Sequence, residues 1–221
     1  MGDYAIFTDS SCDLPASIAE ELGLHVLPLV VNLNGREYKN YLDQRELSFS
    51  SFYSQLRGGA SASTSAPNVE AFVEEMEPVL QAGEDILSIC FASALSSTYQ
   101  NACMAASELA NKYPDRKIYC IDSKCASLGQ GLLVYLAANR KRDGLTIDEL
   151  REYVEKTLPT ICHWFTVDDL FFLKRGGRIS AATAAVGSVL HIKPVLHVDD
   201  AGRLISMFKT RGRKASIKAM Y

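Results

Sequence analysis

The chain has 221 residues, 48% of them hydrophobic and 22% charged, with a net charge of −3. That balance is ordinary for a globular protein. It offers no broad basic field for nucleic acid, and no apolar run reaches the ~18–20 residues that a bilayer span needs. The N-terminus, Met1-Gly2-Asp3-Tyr4, has no basic stretch ahead of a long apolar one, so no secretion signal is expected. Ile6 stands where a myristoylation motif wants Ser or Thr. A cytoplasmic chain without stable membrane insertion is the expectation.

Residues 4–8 read as a short buried strand. The polar turn 9–15 follows, with Asp13 or Ser11 as the expected cap and Pro15 near the first helical position. Ile18, Ala19 and Leu22 recur at helical spacing, and Gly23 closes that helix. The apolar run 24–31 reads as one strand, and Asn34-Gly35 marks a hairpin. Ser48 is placed to cap a helix carrying Phe49, Phe52, Tyr53 and Leu56. The stretch 58–67 holds only small and hydroxyl residues and reads as the loosest part of the chain. Val69, Phe72, Val73, Met76 and Leu80 predict a helix over 69–82. Residues 86–91 form a strand, and the hydroxyl-rich turn 92–98 opens a helix to about Lys112. A strand over 117–121 and a long helix over 127–142 follow; Asp143-Gly144 stops that helix and Thr146 caps the next.

Strands alternating with helix-length crossovers predict an α/β fold, a mostly parallel sheet with helices on both faces over residues 1–160. Past residue 160 the rhythm changes. A strand over 162–167 precedes Asp168, the expected cap of a short helix. The basic turn Lys174-Arg175-Gly176-Gly177-Arg178 and an antiparallel hairpin of 192–198 with 203–208 complete a smaller α/β domain over 161–221.

In an α/β sheet, ligands bind beyond the carboxyl ends of the strands. Two loops placed there share one chemistry: Ser63, Thr64 and Ser65 ahead of one helix, and Ser93, Ser96, Ser97 and Thr98 at the start of another. Hydroxyls with free helix N–H groups suit a carboxylate or phosphate that is held without being attacked. Helix capping alone explains either loop; two matching loops in one sheet bring a binding role level with it. The turn 9–11 reads as structural. Arg175 and Arg178 can grip an anion, although a helix stop beside surface basic residues explains that turn equally well. The basic residues between 203 and 221 read as a solvated face or as a docking patch for an acidic partner. The four histidines show no metal spacing, and no nucleophile elbow, Walker loop or dinucleotide fingerprint is present. The six cysteines form no C-x-x-C pair and read as reduced structural thiols.

Five ordered motifs together resemble one family. Thr8-Asp-Ser-Ser-Cys-Asp-Leu-Pro15 resembles the opening signature of DegV proteins. Thr64-Ser-Ala-Pro67 is similar to the family's Thr-Ser-Gln-Pro, and Ser93-Ala-Leu-Ser-Ser-Thr-Tyr-Gln100 to its Ser-x-Leu-Ser-Gly-Thr-Tyr. Phe172-Leu-Lys-Arg-Gly-Gly-Arg-Ile-Ser180 and Leu190-His-Ile-Lys-Pro-Val-Leu196 are similar to the last two. The resemblance implies a two-domain α/β fold that binds a long-chain fatty acid such as palmitate or oleate between its domains, with no other cofactor and no catalysis of its own. The resemblance then implies that the ligand carboxylate is held by Thr64 and Ser96, with Arg178 and Arg211 near the headgroup or a partner face. The implied partner is a fatty acid kinase, to which the carrier presents its cargo. Ala66 stands in place of Gln and Ser97 in place of Gly. Family members usually continue past the position of Tyr221 into a His-containing motif that faces the headgroup, so the second domain is expected to be incomplete.

Burying a C16 chain at ~0.8 kcal/mol per CH₂ gives on the order of 12 kcal/mol before entropy costs. The polar groups therefore need only orient the carboxylate. Two other readings stay open: a hydrolase-like enzyme with Ser96 as nucleophile, which needs a base within hydrogen-bond reach, and a lipid-sensing regulatory module.

Overall fold

The computed structural model describes residues 3–179 and 192–220. Met1, Gly2, Ser180, Leu190, His191 and Tyr221, which enter the sequence reading above, lie outside them. The chain divides into two units, Met1–Ile161 and Cys162–Tyr221.

In the first unit, β1 (Tyr4–Asp9) is buried at every position. A strand covered on both faces carries an unbroken apolar run. Its side chains still alternate: Tyr4 and Ile6 enter one core, Ala5 and Phe7 the other. The chain passes through a 3₁₀ turn (Ser10–Cys12) and α1 (Ala16–Glu21) into β2 (His25–Leu27), which pairs parallel with β1. The single strand expected over 24–31 is broken at Pro28. Proline has no N–H to give to a ladder, and the chain leaves the parallel sheet there. β3 (Leu29–Leu33) and β4 (Arg36–Asn40) form the expected hairpin across Asn34 and Gly35, whose φ values of 53° and 83° are both positive, as a type I′ turn requires. Ser48 caps α2 (Phe49–Arg57), its Oγ accepting from Ser51 N at 3.2 Å. The stretch expected to be a loop holds β5 (Ala62–Ser65), which pairs antiparallel with β3 as an edge strand.

The rest of the unit alternates: α3 (Val69–Gln81), β6 (Asp85–Cys90), α4 (Thr98–Lys112), β7 (Ile118–Asp122), α5 (Leu128–Arg142) and α6 (Ile147–Thr157). The main sheet has the order β2-β1-β6-β7 and is parallel throughout. On one face Leu133, Val134 and Leu150 pack against Tyr4, Ile6, Leu87 and Ile89. On the other, Phe72, Met76 and Leu109 pack against Phe7 and Ile86. Thr146 and Glu149 form a reciprocal capping box at the start of α6, where a cap is expected. At Gly131 a Cβ would lie 2.5 Å from Cys12 O, so only glycine lets α5 rest this closely on the turn after β1.

The second unit contains β8 (Trp164–Thr166), α7 (Leu170–Arg175), β9 (Ile192–Val198), β10 (Leu204–Arg211) and α8 (Arg213–Lys218). Its strands form an antiparallel sheet in the order β10-β9-β8, with a small core of Leu170, Ile179 and Leu196. Asp169, not Asp168, caps α7, accepting from Phe171 N at 2.8 Å. Asp168 instead sits 3.4 Å from Lys193 Nζ. Among the described residues, no helix is long and apolar enough to cross a membrane.

Candidate functional site

The order β2-β1-β6-β7 carries a topological switch point. From β1 the chain crosses to β2 on one side, and β6 lies on the other. The crevice between the carboxyl ends of β1 and β6 is where such sheets bind ligands. Residues 9–15 and 91–97 supply the loops there.

Asp9 roots the first loop. It is 1% exposed. Its Oδ1 accepts from Ser11 N at 3.1 Å and from Ser11 Oγ, and its Oδ2 accepts from Phe91 N at 2.9 Å and Gln130 Nε2 at 3.1 Å. Gln130 Nε2 also donates to Thr8 Oγ1 at 3.0 Å, and Thr8 Oγ1 donates to Ile89 O at 2.9 Å. Burial pushes the Asp9 carboxyl above its ordinary pKa, while these donors pull the other way. Asp9 thus caps the 3₁₀ turn, and neither Ser11 nor Asp13 caps the helix that follows, because Pro15 stands at the start of α1 with no side-chain capping bond. Asp13 takes the left-handed conformation at the turn's end (φ 54°) and accepts from Ser127 Oγ. Ser10 Oγ accepts from Leu29 N at 3.0 Å and from Asn40 Nδ2 at 3.3 Å, which ties the β3–β4 hairpin to the end of β1.

The second loop presents Ser96, half-buried at the start of α4. Its Oγ lies 2.8 Å from Thr98 Oγ1 and accepts from Thr98 N at 3.3 Å. Ser97, formally the cap, makes no side-chain capping bond. The first backbone bond of the helix runs from Asn101 N to Ser97 O at 2.9 Å, so Tyr99 N and Gln100 N are left to outside partners. Ser96 Oγ and these N–H groups all lie at the start of α4, the positive end of the helix, where uncharged donors suit an anion. Among the described residues no His or carboxylate is hydrogen-bonded to Ser96, whose hydroxyl meets only Thr98.

Thr64 stands elsewhere than expected. It is exposed on β5, opposite Val31 in the antiparallel ladder, and not in a loop that feeds a helix. The helix after it is capped by Asn68, whose Oδ1 accepts from Ala71 N at 2.9 Å. The segment that leaves β5 is nevertheless fastened to α4, because Asn101 Nδ2 donates to Pro67 O at 2.8 Å. Beside the turn after β1 lies a cleft of about 580 Å³ lined by Ser10, Asp13, Leu14, Leu42, Phe49 and Tyr53, among others. Neither Thr64 nor Ser96 lines it.

Arg178 and Arg211 belong to the second unit. Gly177 N donates to Lys174 O at 2.9 Å and Arg178 N to Leu173 O at 3.0 Å, with Gly177 at φ 74°. That is a Schellman ending for α7, which accounts for Gly177. The Arg178 side chain is exposed and reaches Gly176 O. Arg211 is exposed at the last position of β10.

Fold and site define an α/β domain whose candidate seat at the switch point is built of hydroxyl and amide groups. The chain belongs to the DegV family: the family model described as an uncharacterised protein of the DegV family matches residues 3–221. A DegV domain-containing protein of Clostridium perfringens is 48% identical over 221 residues, covering 100% of this chain and 76% of the relative. Among solved structures, a fatty-acid-binding DegV family protein from Thermus thermophilus has a TM-score of 0.86 at 32% identity, over 99% of this chain and 76% of that one. A stearic acid-binding protein from Eubacterium ventriosum has a TM-score of 0.89 at 26% identity, over 98% and 73%.

Proposed function

We propose that this protein binds a long-chain fatty acid and acts as a non-catalytic carrier. The carboxylate sits at the start of α4 on Ser96 Oγ and the neighbouring free N–H groups, with Thr64 as a second hydroxyl ligand. The observation that supports this reading is the chemistry at the start of α4: a hydroxyl stands beside helix amides without intrahelical partners, and among the described residues no base is hydrogen-bonded to Ser96 to make it a nucleophile. The solved relatives named for fatty acid binding support the same ligand class. Arg178 and Arg211 then serve the headgroup or a partner face, and the partner is a fatty acid kinase that phosphorylates the presented carboxylate in the cytoplasm.

Titration with palmitate and with hexadecanol tests the binding step. Saturable palmitate binding that exceeds hexadecanol binding is expected. Equal affinity for the two would remove the carboxylate from the account, and turnover of a palmitoyl ester would restore the hydrolase reading.

A further inference from the structure

Ser93 is the best-anchored residue of the loop that leads to Ser96. Its N–H donates to Asp122 Oδ1 at 3.0 Å and its hydroxyl to Asp122 Oδ2 at 2.5 Å. Asp122 ends β7, the neighbouring strand of the sheet. The carboxylate is itself held by its own turn, since Oδ1 also accepts from Lys124 N at 3.0 Å. Around this pair the two loops are laced together: Ala92 N donates to Cys125 O and Ser123 N to Cys90 O, both at 3.1 Å. On the far side Phe91 N is held by Asp9. The amides of residues 91, 92 and 93 thus all have acceptors outside their own loop. Beyond them the loop's backbone bonds turn inward, with Leu95 N and Ser96 N both returning to Ala92 O. The path of the chain into Ser96 is therefore set by the anchored residues 91–93, of which Ser93 alone is held through both its N–H and its side chain.

We propose that Asp122 is a positioning residue for the ligand carboxylate. By gripping Ser93 through both N–H and Oγ, it fixes the loop so that Ser96 Oγ and the first amides of α4 aim at one point. This rests on the fatty-acid reading above. A two-armed hydrogen bond to a carboxylate is strong and geometrically specific. The negative charge cannot be there to attract an anion, which it repels; what it contributes is position. The sign of the mutational effect separates the two roles. If charge dominated, removing it would tighten palmitate binding. If position dominates, removing the side chain loosens binding although the repulsion is gone.

The test compares wild type, Asp122→Ala and Asp122→Asn by titration with palmitate and hexadecanol, together with hydrogen exchange of the amides at 93–98. Asn keeps Oδ1 as acceptor for Ser93 N and loses the charge. Asp122→Ala is expected to weaken palmitate about ten-fold while changing hexadecanol less than about two-fold. Asp122→Asn is expected to stay within about three-fold of wild type, with loop exchange accelerated only in the Ala variant. Unchanged or tighter palmitate binding by Asp122→Ala overturns the proposal, as do equal losses for both ligands. Should the Ala variant not fold, Ser93→Ala removes only the hydroxyl arm and is expected to cost palmitate about three-fold; no loss of palmitate affinity there overturns the proposal too. If wild type binds no palmitate, the fatty-acid reading falls, and the exchange data alone decide whether Asp122 sets the loop.

Discussion

Ser96→Ala removes one hydroxyl from the switch-point loop and should have two separable effects. In the free protein, Ser96 Oγ accepts from Thr98 N at 3.3 Å and pairs with Thr98 Oγ1 at 2.8 Å. Losing a side chain that satisfies a helix-start N–H costs about 1 kcal/mol. Thr98 is 0% exposed, so depriving its hydroxyl of this partner adds up to about 1 kcal/mol. The sum of about 1–2 kcal/mol corresponds to a fall in Tm of roughly 2–8 °C for a protein of this size. Binding is affected by a larger factor. A hydrogen bond to a charged acceptor contributes roughly 1.5–3 kcal/mol, so palmitate affinity should drop about ten- to a hundred-fold. Hexadecanol, which lacks the charge, should respond much less. Thr64→Ala should weaken palmitate similarly but leave Tm nearly unchanged, because Thr64 is exposed on an edge strand. If both hydroxyls meet one carboxylate, the double mutant is non-additive. Calorimetric titration of both ligands, with thermal melts of all four proteins, measures every quantity. Equal losses of acid and alcohol would refute the reasoning: Ser96 would then be a helix cap only, and the headgroup would bind elsewhere.

Gly131→Ala gains roughly 1 kcal/mol of helix propensity but puts a Cβ 2.5 Å from Cys12 O, an overpacking that costs about 1–3 kcal/mol; denaturant unfolding should show a net loss, and a stabilised variant would mean that α5 can shift freely. Burial raises the Asp9 pKa above its ordinary 3.8, so the folded state holds its proton more tightly than the unfolded state does. Its contribution to stability is therefore fully present below pH 3.8 and is lost as pH rises through the folded-state pKa. Urea midpoints of wild type and Asp9→Asn across that range should differ in slope in this direction, and parallel profiles would contradict it. Charge reversal at Arg178 or Arg211 should impair phosphorylation of bound palmitate by a fatty acid kinase more than it weakens binding; equal losses would make these residues headgroup ligands or structural.

Much of the main sheet was legible because fully buried parallel strands carry continuous apolar runs, as in β1 and β6. The turn at Asn34-Gly35 and the caps at Ser48 and Thr146 were legible because each has a local chemical signature. β5 was not: its Ala-Ser-Thr-Ser side chains are exposed and carry no period, and its order comes from main-chain pairing with β3. Pro28 did carry the signal that splits 24–31 into two strands. At the site, the hydroxyl-rich loop offered Ser93, Ser96, Ser97 and Thr98 alike, and only the family resemblance singled out Ser96; the framework behind the loop was hidden. Asp9 could have been suspected as an acid ending a buried strand, and Gln130 as a polar residue on the buried face of α5. The Asp122–Ser93 pair, 29 residues apart, exists only through the register of β6 with β7.

The most direct test of the carrier reading is mass spectrometry of an organic extract from the purified, well-folded protein, with added palmitate as a control. The expected result is a co-purifying long-chain fatty acid, about one per chain, that palmitate displaces and that Ser96→Ala retains poorly. An extract without acyl species, from protein that also fails to take up palmitate, would contradict the central claim.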